Sequence, residues 1–171
     1  MDAALQTPDA DTLHRRASDL VRLEAYLLDA RDWDGWLDLY SEDASYWIPA
    51  WKDEHTLTSD PMRELSLIYY PNRSGLEDRV FRIRTEKSLA SSPLPRTTHL
   101  LTVTRIVDLP NGDVQVDGNW AVHVFRLEKA HCFFGQQSHV FRLIDGDLKI
   151  VSRRTSVNND VIPDVLDIYS V

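Results

Sequence analysis

The sequence predicts an α+β domain, in which helices cover one face of a curved and mostly antiparallel sheet. Three observations predict this class: helical periodicity near the N-terminus, a further helical stretch near the middle, and long strands of alternating hydrophobicity from Thr97 onward. Helices and strands that are segregated along the chain are typical of α+β folds. With 171 residues, of which 43% are hydrophobic, the chain matches one domain that needs no metal or disulfide for its stability. We therefore expect a flexible tail over residues 1–10 and a single cone-shaped domain over residues 11–171.

Three helices are predicted. The first begins near Asp11 or Thr12, either of which can cap it. Its expected buried face contains residues at spacings of three and four: Leu13, Arg16, Leu20, Leu23, Leu27 and Ala30. The second helix spans residues 33–40, whose aromatic side chains share one face. The third spans residues 75–85 with Ser74 as its cap, and its expected buried side contains Leu76, Val80 and Ile83.

Strands are predicted over residues 44–49, 64–70, 97–110, 114–124, 137–144 and 148–157. The pairs Asn111-Gly112 and Asp145-Gly146 favour tight reversals, because both residues of each pair tolerate a positive φ. Gly118 lies inside a long strand and is a candidate for a bulge or bend. A long strand with a central glycine suggests strong curvature, and a curved sheet forms a cone that the first helix would cover.

The charge balance excludes two classes of partner. Nineteen basic residues against 27 acidic residues give a net charge of −8, which disfavours nucleic acid and anionic membrane surfaces. No stretch approaches the ~18 apolar residues of a membrane span. The first sixteen residues contain three aspartates and no apolar stretch, so we expect no signal peptide. The sequence predicts a soluble, cytoplasmic protein.

No metal or cofactor site is expected in this chain. No two of its six histidines have the spacing of helical metal motifs, and His131 and His139 could meet only across a hairpin. A single cysteine, Cys132, cannot form an internal disulfide or hold an iron–sulfur cluster by itself. Glycine-rich phosphate loops and serine or cysteine nucleophile motifs are absent from the sequence. We therefore expect no catalytic residue.

One alternative is a stand-alone isomerase or dehydratase for small molecules. A helix-covered curved sheet forms a natural pocket, in which acidic, phenolic and imidazole groups could move protons. The candidates for this acid–base group are Asp32, Tyr46, His99 and His123. The simpler interpretation is that Asp32 caps the second helix and that His123 lies on one face of an alternating strand.

Two groups of residues predict a protein interface. The third helix carries a mixed cluster of charges: Glu77, Asp78, Arg79, Arg82, Arg84, Glu86 and Lys87. A second group contains aromatic residues that are hard to bury together in so small a domain: Trp47, Trp51, Tyr69 and Tyr70. Arginine and aromatic residues are enriched in interfaces, although the charges could also form a solvated helix face with pairs four residues apart. We expect Arg79→Ala or Arg82→Ala to weaken assembly.

Three strings carry a resemblance to a known family. They are residues 28–49, residues 76–85 and the Pro-Arg-Thr-Thr-His string at residues 95–99. Together they resemble the small, or beta, subunit of aromatic-ring-hydroxylating dioxygenases. Residues 63–70 and the Phe134-Gly135 pair resemble the benzoate and anthranilate branch of that family.

The resemblance implies a fold, a function and partners. The implied fold is a cone like that of nuclear transport factor 2. The implied role is a non-catalytic structural subunit that carries no cofactor, while the large subunit holds a Rieske iron–sulfur cluster and a mononuclear Fe(II). The implied complex contains three large and three small subunits, with a trimer of small subunits. It receives electrons from NADH through a reductase and adds O2 to an aromatic acid such as benzoate or anthranilate. The candidate interface residues are Arg79, Arg82, Arg84, Asp78, Arg96, Tyr69 and Tyr70.

Overall fold

The computed structural model describes residues 8–85 and 91–171. Its elements, in chain order, are α1 (Ala10–Ala30), α2 (Trp33–Asp38), β1 (Tyr40–Pro49), β2 (Ser66–Tyr70), α3 (Arg73–Arg84), β3 (Arg96–Asp108), β4 (Val114–Arg126), β5 (Lys129–Ile144), β6 (Asp147–Thr155) and a 3-10 turn at Ile168–Ser170. Most of the predicted tail, together with Glu86 and Lys87, lies outside the described residues. The limits of the predicted domain stay a prediction.

The six strands form one sheet in the order β2-β1-β6-β5-β4-β3. Neighbouring strands are antiparallel except β1 and β6, which are parallel. Helix α1 packs against β3 and β4, while α3 packs against β1 and β2. The predicted α+β class with a mostly antiparallel sheet is therefore confirmed.

The pairing of β3 with β4 is irregular near Gly118. The register shifts on β3 between Val103 and Arg105, so the bulge lies on the strand that pairs with Gly118. A Cβ at Gly118 would lie 2.2 Å from the carbonyl oxygen of Thr102. Only glycine allows the two backbones to approach this closely. The sequence therefore predicted the position of the bulge along the strands correctly, but assigned it to β4 instead of β3.

The start of β1, the end of α2 and the start of β5 differ from the predictions because pairing extends the strands. Tyr40 pairs with Ile150, so β1 begins there and α2 is shorter than predicted. Strand β5 begins at Lys129 instead of residue 137, because every residue of β4 pairs with it, as far as Arg126 opposite Lys129. His131 and His139 consequently lie on one continuous strand and not across a hairpin.

The caps and the buried face of α1 also differ from the predictions. Asp9 caps α1 by accepting a hydrogen bond from the Thr12 amide, and Asn72, two residues earlier than expected, caps α3. The buried residues of α1 are Ala17, Ser18, Val21, Glu24, Leu27 and Leu28. Of the expected face only Leu27 is buried, whereas Leu23 and Ala30 are exposed. The predicted buried side of α3 (Leu76, Val80 and Ile83) is confirmed.

Candidate functional site

In the interior of the cone, where a pocket was considered, buried side chains cluster around Glu24. The Oε1 atom of Glu24 accepts hydrogen bonds from the Tyr40 hydroxyl and, at 3.3 Å, from Nε1 of Trp36. Its Oε2 atom lies 2.7 Å from Nε2 of His139 and 3.5 Å from Nε of Arg153. All five residues are at most 2% exposed. The carboxylate thus ties α1 to α2, β1, β5 and β6.

The charges of this network are fixed by their partners. Burial alone would raise the pKa of Glu24, but the charges of Arg153 and His139 and the hydrogen bonds from His139 and Tyr40 lower that pKa to about 2. Burial raises the pKa of the Tyr46 hydroxyl, which accepts a hydrogen bond from Nη1 of Arg153 at 3.0 Å. A base with so low a pKa is poorly matched to proton transfer near neutral pH. The network is suited to holding the fold together, not to acid–base catalysis.

The structure places the four candidate acid–base residues in different surroundings. Asp32 caps α2 by accepting a hydrogen bond from the Gly35 amide at 3.0 Å. Tyr46 lies in the aromatic core, 6.5 Å from Trp36 between ring centroids. The side chains of His99 and His123 lie on opposite faces of the sheet, with His99 buried and His123 exposed. These four side chains do not form one site.

His99 has a partner that the sequence did not reveal. Asp29, near the end of α1, accepts hydrogen bonds from the Thr97 hydroxyl at 2.8 Å and from the His99 amide at 2.9 Å. Its carboxylate also lies 2.6 Å from Nδ1 of His99. Partial burial alone would raise the pKa of Asp29, but these hydrogen bonds from His99 and Thr97 lower it. The pair fastens the end of α1 to the start of β3.

The charged residues of α3 divide into two groups. Arg79 is 17% exposed at its side chain and forms two hydrogen bonds with the carboxylate of Asp167, one of them from Nε to Oδ1 at 2.8 Å. It also donates to the Ser91 hydroxyl at 3.1 Å. Arg79 therefore holds the C-terminal segment of its own chain. Asp78, Arg82 and Arg84 are exposed, and Arg84 pairs with Asp34 at 2.8 Å.

The remaining interface candidates lie on both faces of the sheet. We call the solvent-facing side the outer face. Tyr69 and Arg96 lie on this face, where Arg96 stacks over Phe125 with 5.4 Å to the ring centroid. Tyr70 instead faces the core, and its ring packs against Gly75 and lies 6.2 Å from the ring of Tyr46.

Tyr69 belongs to a row of residues that crosses the whole outer face. Strand register pairs these residues in order: Tyr69, Trp47, Arg154, Ser138, Asp117 and Arg105. We call this set the outer row. The guanidinium of Arg154 lies 5.1 Å from the centroid of Trp47, which supports a cation–π contact. Local sequence patterns did not reveal this row, because its members come from six strands.

Comparisons with known proteins decide the family. The model of the family described as "Ring hydroxylating beta subunit" matches residues 23–164. The 2-halobenzoate 1,2-dioxygenase small subunit of Burkholderia cepacia is 40% identical over 148 residues, which cover 86% of this chain and 90% of the relative. The benzoate 1,2-dioxygenase subunit beta of Acinetobacter baylyi is 41% identical over 154 residues, which cover 90% and 91%. This chain belongs to the ring-hydroxylating beta subunit family.

Solved structures agree with this assignment. The beta subunit of the benzoate 1,2-dioxygenase from Burkholderia mallei superposes with a TM-score of 0.77 at 35% identity, covering 98% of this chain and 100% of that one. An NTF2-like protein from Novosphingobium aromaticivorans superposes with a TM-score of 0.62 at 12% identity, covering 88% and 84%, which supports the fold alone. The predicted family and the predicted nuclear-transport-factor-2-like cone are confirmed.

Two further findings concern metals and membranes. Within residues 8–85 and 91–171 of this ring-hydroxylating beta subunit, no three histidine, cysteine, aspartate or glutamate side chains come together where they could hold a metal ion. Across the same ranges, no helix is both long enough and apolar enough to cross a membrane.

Proposed function

We propose that this chain is the non-catalytic structural small subunit of a Rieske non-haem iron dioxygenase that dihydroxylates an aromatic acid. The observation that carries the proposal is about 40% identity, over most of the chain, to small subunits named for 2-halobenzoate, benzoate and anthranilate dioxygenases. The Glu24 network supports a structural role, because its buried carboxylate is held by partners from four other elements and has a pKa too low for proton transfer near neutral pH.

In this proposal the large subunit carries out the reaction. The large subunit would hold the Rieske cluster and the mononuclear iron, and a reductase would deliver electrons from NADH. The complex would contain three large and three small subunits, with the small subunits forming a trimer in the cytoplasm. Benzoate and anthranilate are the first substrates to test, since relatives named for both match this chain at 41% identity.

Two surfaces of this chain are proposed to bind neighbouring subunits. One is the exposed side of α3, with Asp78, Arg82 and Arg84. The other is the outer face, with Arg96 and the outer row that contains Tyr69. Tyrosine, tryptophan and arginine dominate the binding energy of many interfaces, and the outer row contains all three. Tyr70 and Arg79 would contribute by shaping these surfaces from within the chain.

Co-expression with a large subunit of the same dioxygenase type tests the function. We expect the two chains to purify together, to contain iron, and to consume O2 and NADH with benzoate or anthranilate once the reductase is added. The small subunit alone is expected to contain neither iron nor zinc in stoichiometric amounts. Full activity of this chain alone, or about one iron per chain that is lost when His131 and His139 are replaced, would overturn the proposal.

Sedimentation of variants tests the two surfaces. Arg82→Ala and Tyr69→Ala are expected to shift the complex toward smaller species at low protein concentration while leaving the circular dichroism spectrum unchanged. Arg22→Ala is the matched control, because Arg22 forms an exposed pair with Asp19 on α1, away from both surfaces. Unchanged assembly of both variants would show that these surfaces face solvent in the complex.

A further inference from the structure

The inner face of β5 and β6 carries two neighbouring polar pairs. Gln137 lies opposite Thr155, and two residues along each strand His139 lies opposite Arg153. The four residues are between 0% and 5% exposed. Polar side chains are therefore concentrated at one place in the core, next to the Glu24 carboxylate.

Several polar atoms of these pairs have no hydrogen-bond partner among residues 8–85 and 91–171. They are Nε2 of Gln137, Oγ1 of Thr155 and Nδ1 of His139. Nε of Arg153 also lacks a hydrogen bond, although it lies 3.5 Å from the Glu24 carboxylate. Buried polar groups in native proteins nearly always have a partner, either a protein atom or an ordered water. Three such atoms on adjacent positions indicate a shared partner.

The strand register places these side chains next to one another on the inner face of the sheet. Residues directly opposite on antiparallel strands have Cβ atoms about 4.5–5.5 Å apart. Residues two apart on one strand, such as Gln137 and His139, are separated by about 7 Å. A molecule between them must accept a hydrogen bond from the Gln137 amide nitrogen, whereas the Thr155 hydroxyl can either donate to it or accept from it.

We propose that this patch is a binding site for ordered water inside the cone. One water accepts a hydrogen bond from Nε2 of Gln137 and exchanges a second with the hydroxyl of Thr155. Water also suits Nδ1 of His139 in either charge state, because it donates to the neutral ring and accepts from the protonated ring. A carboxylate ligand fits less well, because Glu24 already balances the charge of Arg153. The site belongs to the small subunit itself and does not depend on the proposed partner or substrate.

A crystal structure of the full chain at atomic resolution is the direct test. We expect ordered water within about 2.7–3.2 Å of both Nε2 of Gln137 and Oγ1 of Thr155. Oxygen-17 relaxation dispersion should also detect a long-lived internal water that is lost in the Gln137→Met/Thr155→Val double variant. An empty site in the density map, or an unchanged relaxation signal in the double variant, would overturn the proposal.

Thermal unfolding of the Thr155→Val variant is a second, independent test, because the direction of the change in melting temperature distinguishes a hydrated hydroxyl from a dry one. If the hydroxyl holds a water, its removal lowers the melting temperature by about 2–4 °C, as expected for the loss of one hydrogen bond in a chain of this size. If the hydroxyl were buried dry and unpaired, valine would remove a penalty and raise the melting temperature. Thr98→Val, on the exposed outer face of β3, is the matched control and should change the melting temperature by less than about 2 °C.

Discussion

Glu24 of α1 and His139 of β5 meet at the centre of the cone, with Nε2 of the imidazole 2.7 Å from Oε2 of the carboxylate. The Tyr40 hydroxyl, the Trp36 indole N–H and the Arg153 guanidinium also lie against that carboxylate. A buried ion pair of this kind is costly to break, because the remaining partner is left as an uncompensated charge. The pair therefore fixes where α1 lies on the sheet.

Replacing Glu24 by glutamine should destabilise the chain strongly. The amide keeps the size of the side chain but removes the negative charge that Arg153 and His139 face. We expect the free energy of unfolding at neutral pH, measured with urea, to fall by about 3–5 kcal/mol. Asp19→Asn is the control, since the pair of Asp19 with Arg22 is exposed and should contribute no more than about 0.5 kcal/mol. Equal effects of the two substitutions would show that the buried carboxylate is dispensable.

The same carboxylate should make stability depend on acid pH. Its pKa is about 2 in the folded chain, below the ordinary value of 4.5. A lowered pKa in the folded state gives stability that is complete above the unfolded pKa and lost as the pH falls toward the folded pKa. The difference in unfolding free energy between the native chain and Glu24→Gln should therefore stay constant above about pH 5 and narrow below it. Urea titrations across this range check the prediction, and a difference that widens in acid would contradict it.

These contacts show which features local sequence patterns can predict. The α+β class and the approximate locations of the six strands follow from alternation and turn residues, which are properties of neighbouring positions. The prediction of the buried face of α1 was wrong because the face that is actually buried contains the charged residue Glu24. That face therefore looked solvent-exposed in the sequence. The Glu24 partners His139 and Arg153 are far away in the chain, and no spacing rule connects them.

The interface candidates illustrate the same limit. Arg79 and Arg82 are three residues apart on α3, and their spacing alone suggests one shared surface. The structure separates them, because Asp167, which is 88 residues from Arg79, draws that side chain inward. The pairing of sequence-distant segments decides whether a charge is buried, and helical periodicity contains no information about it.

Arg79 and Arg82 should consequently respond differently to alanine. Arg79→Ala leaves the buried carboxylate of Asp167 without its cation, and we expect a loss of about 1.5–3 kcal/mol in unfolding free energy. The C-terminal segment should also become sensitive to carboxypeptidase digestion. Arg82→Ala is expected to change monomer stability by less than about 0.5 kcal/mol, since Arg82 is exposed. Resistance of the Arg79→Ala tail to digestion would show that the Asp167 pair does not hold it.

A methyl group at Gly135 should be far more damaging than one at Gly112. A Cβ at Gly135 would lie 1.9 Å from the carbonyl oxygen of Ser156, a backbone atom that also accepts from Nε1 of Trp120 at 3.2 Å. The segment cannot easily retreat, because the amide of Asn158 donates to the Phe134 carbonyl at 2.7 Å. We expect Gly135→Ala to cost more than about 3 kcal/mol, or to prevent folding, because overpacking here moves backbone and not a flexible side chain.

Gly112 is the matched control for this steric effect. It lies in the β3–β4 reversal with φ +85°, and within the described residues no atom beyond its own chain neighbours lies within 4 Å of an added Cβ. Alanine at this position should lower the free energy of unfolding by only about 1–2 kcal/mol, which is the cost of a left-handed backbone conformation. Urea unfolding of both variants, or the yield of folded chain if Gly135→Ala does not fold, measures the difference. Equal losses of unfolding free energy in the two variants would contradict the prediction. They would mean that the segment after β6 does not pack closely enough against Gly135 of β5 to clash with a methyl group.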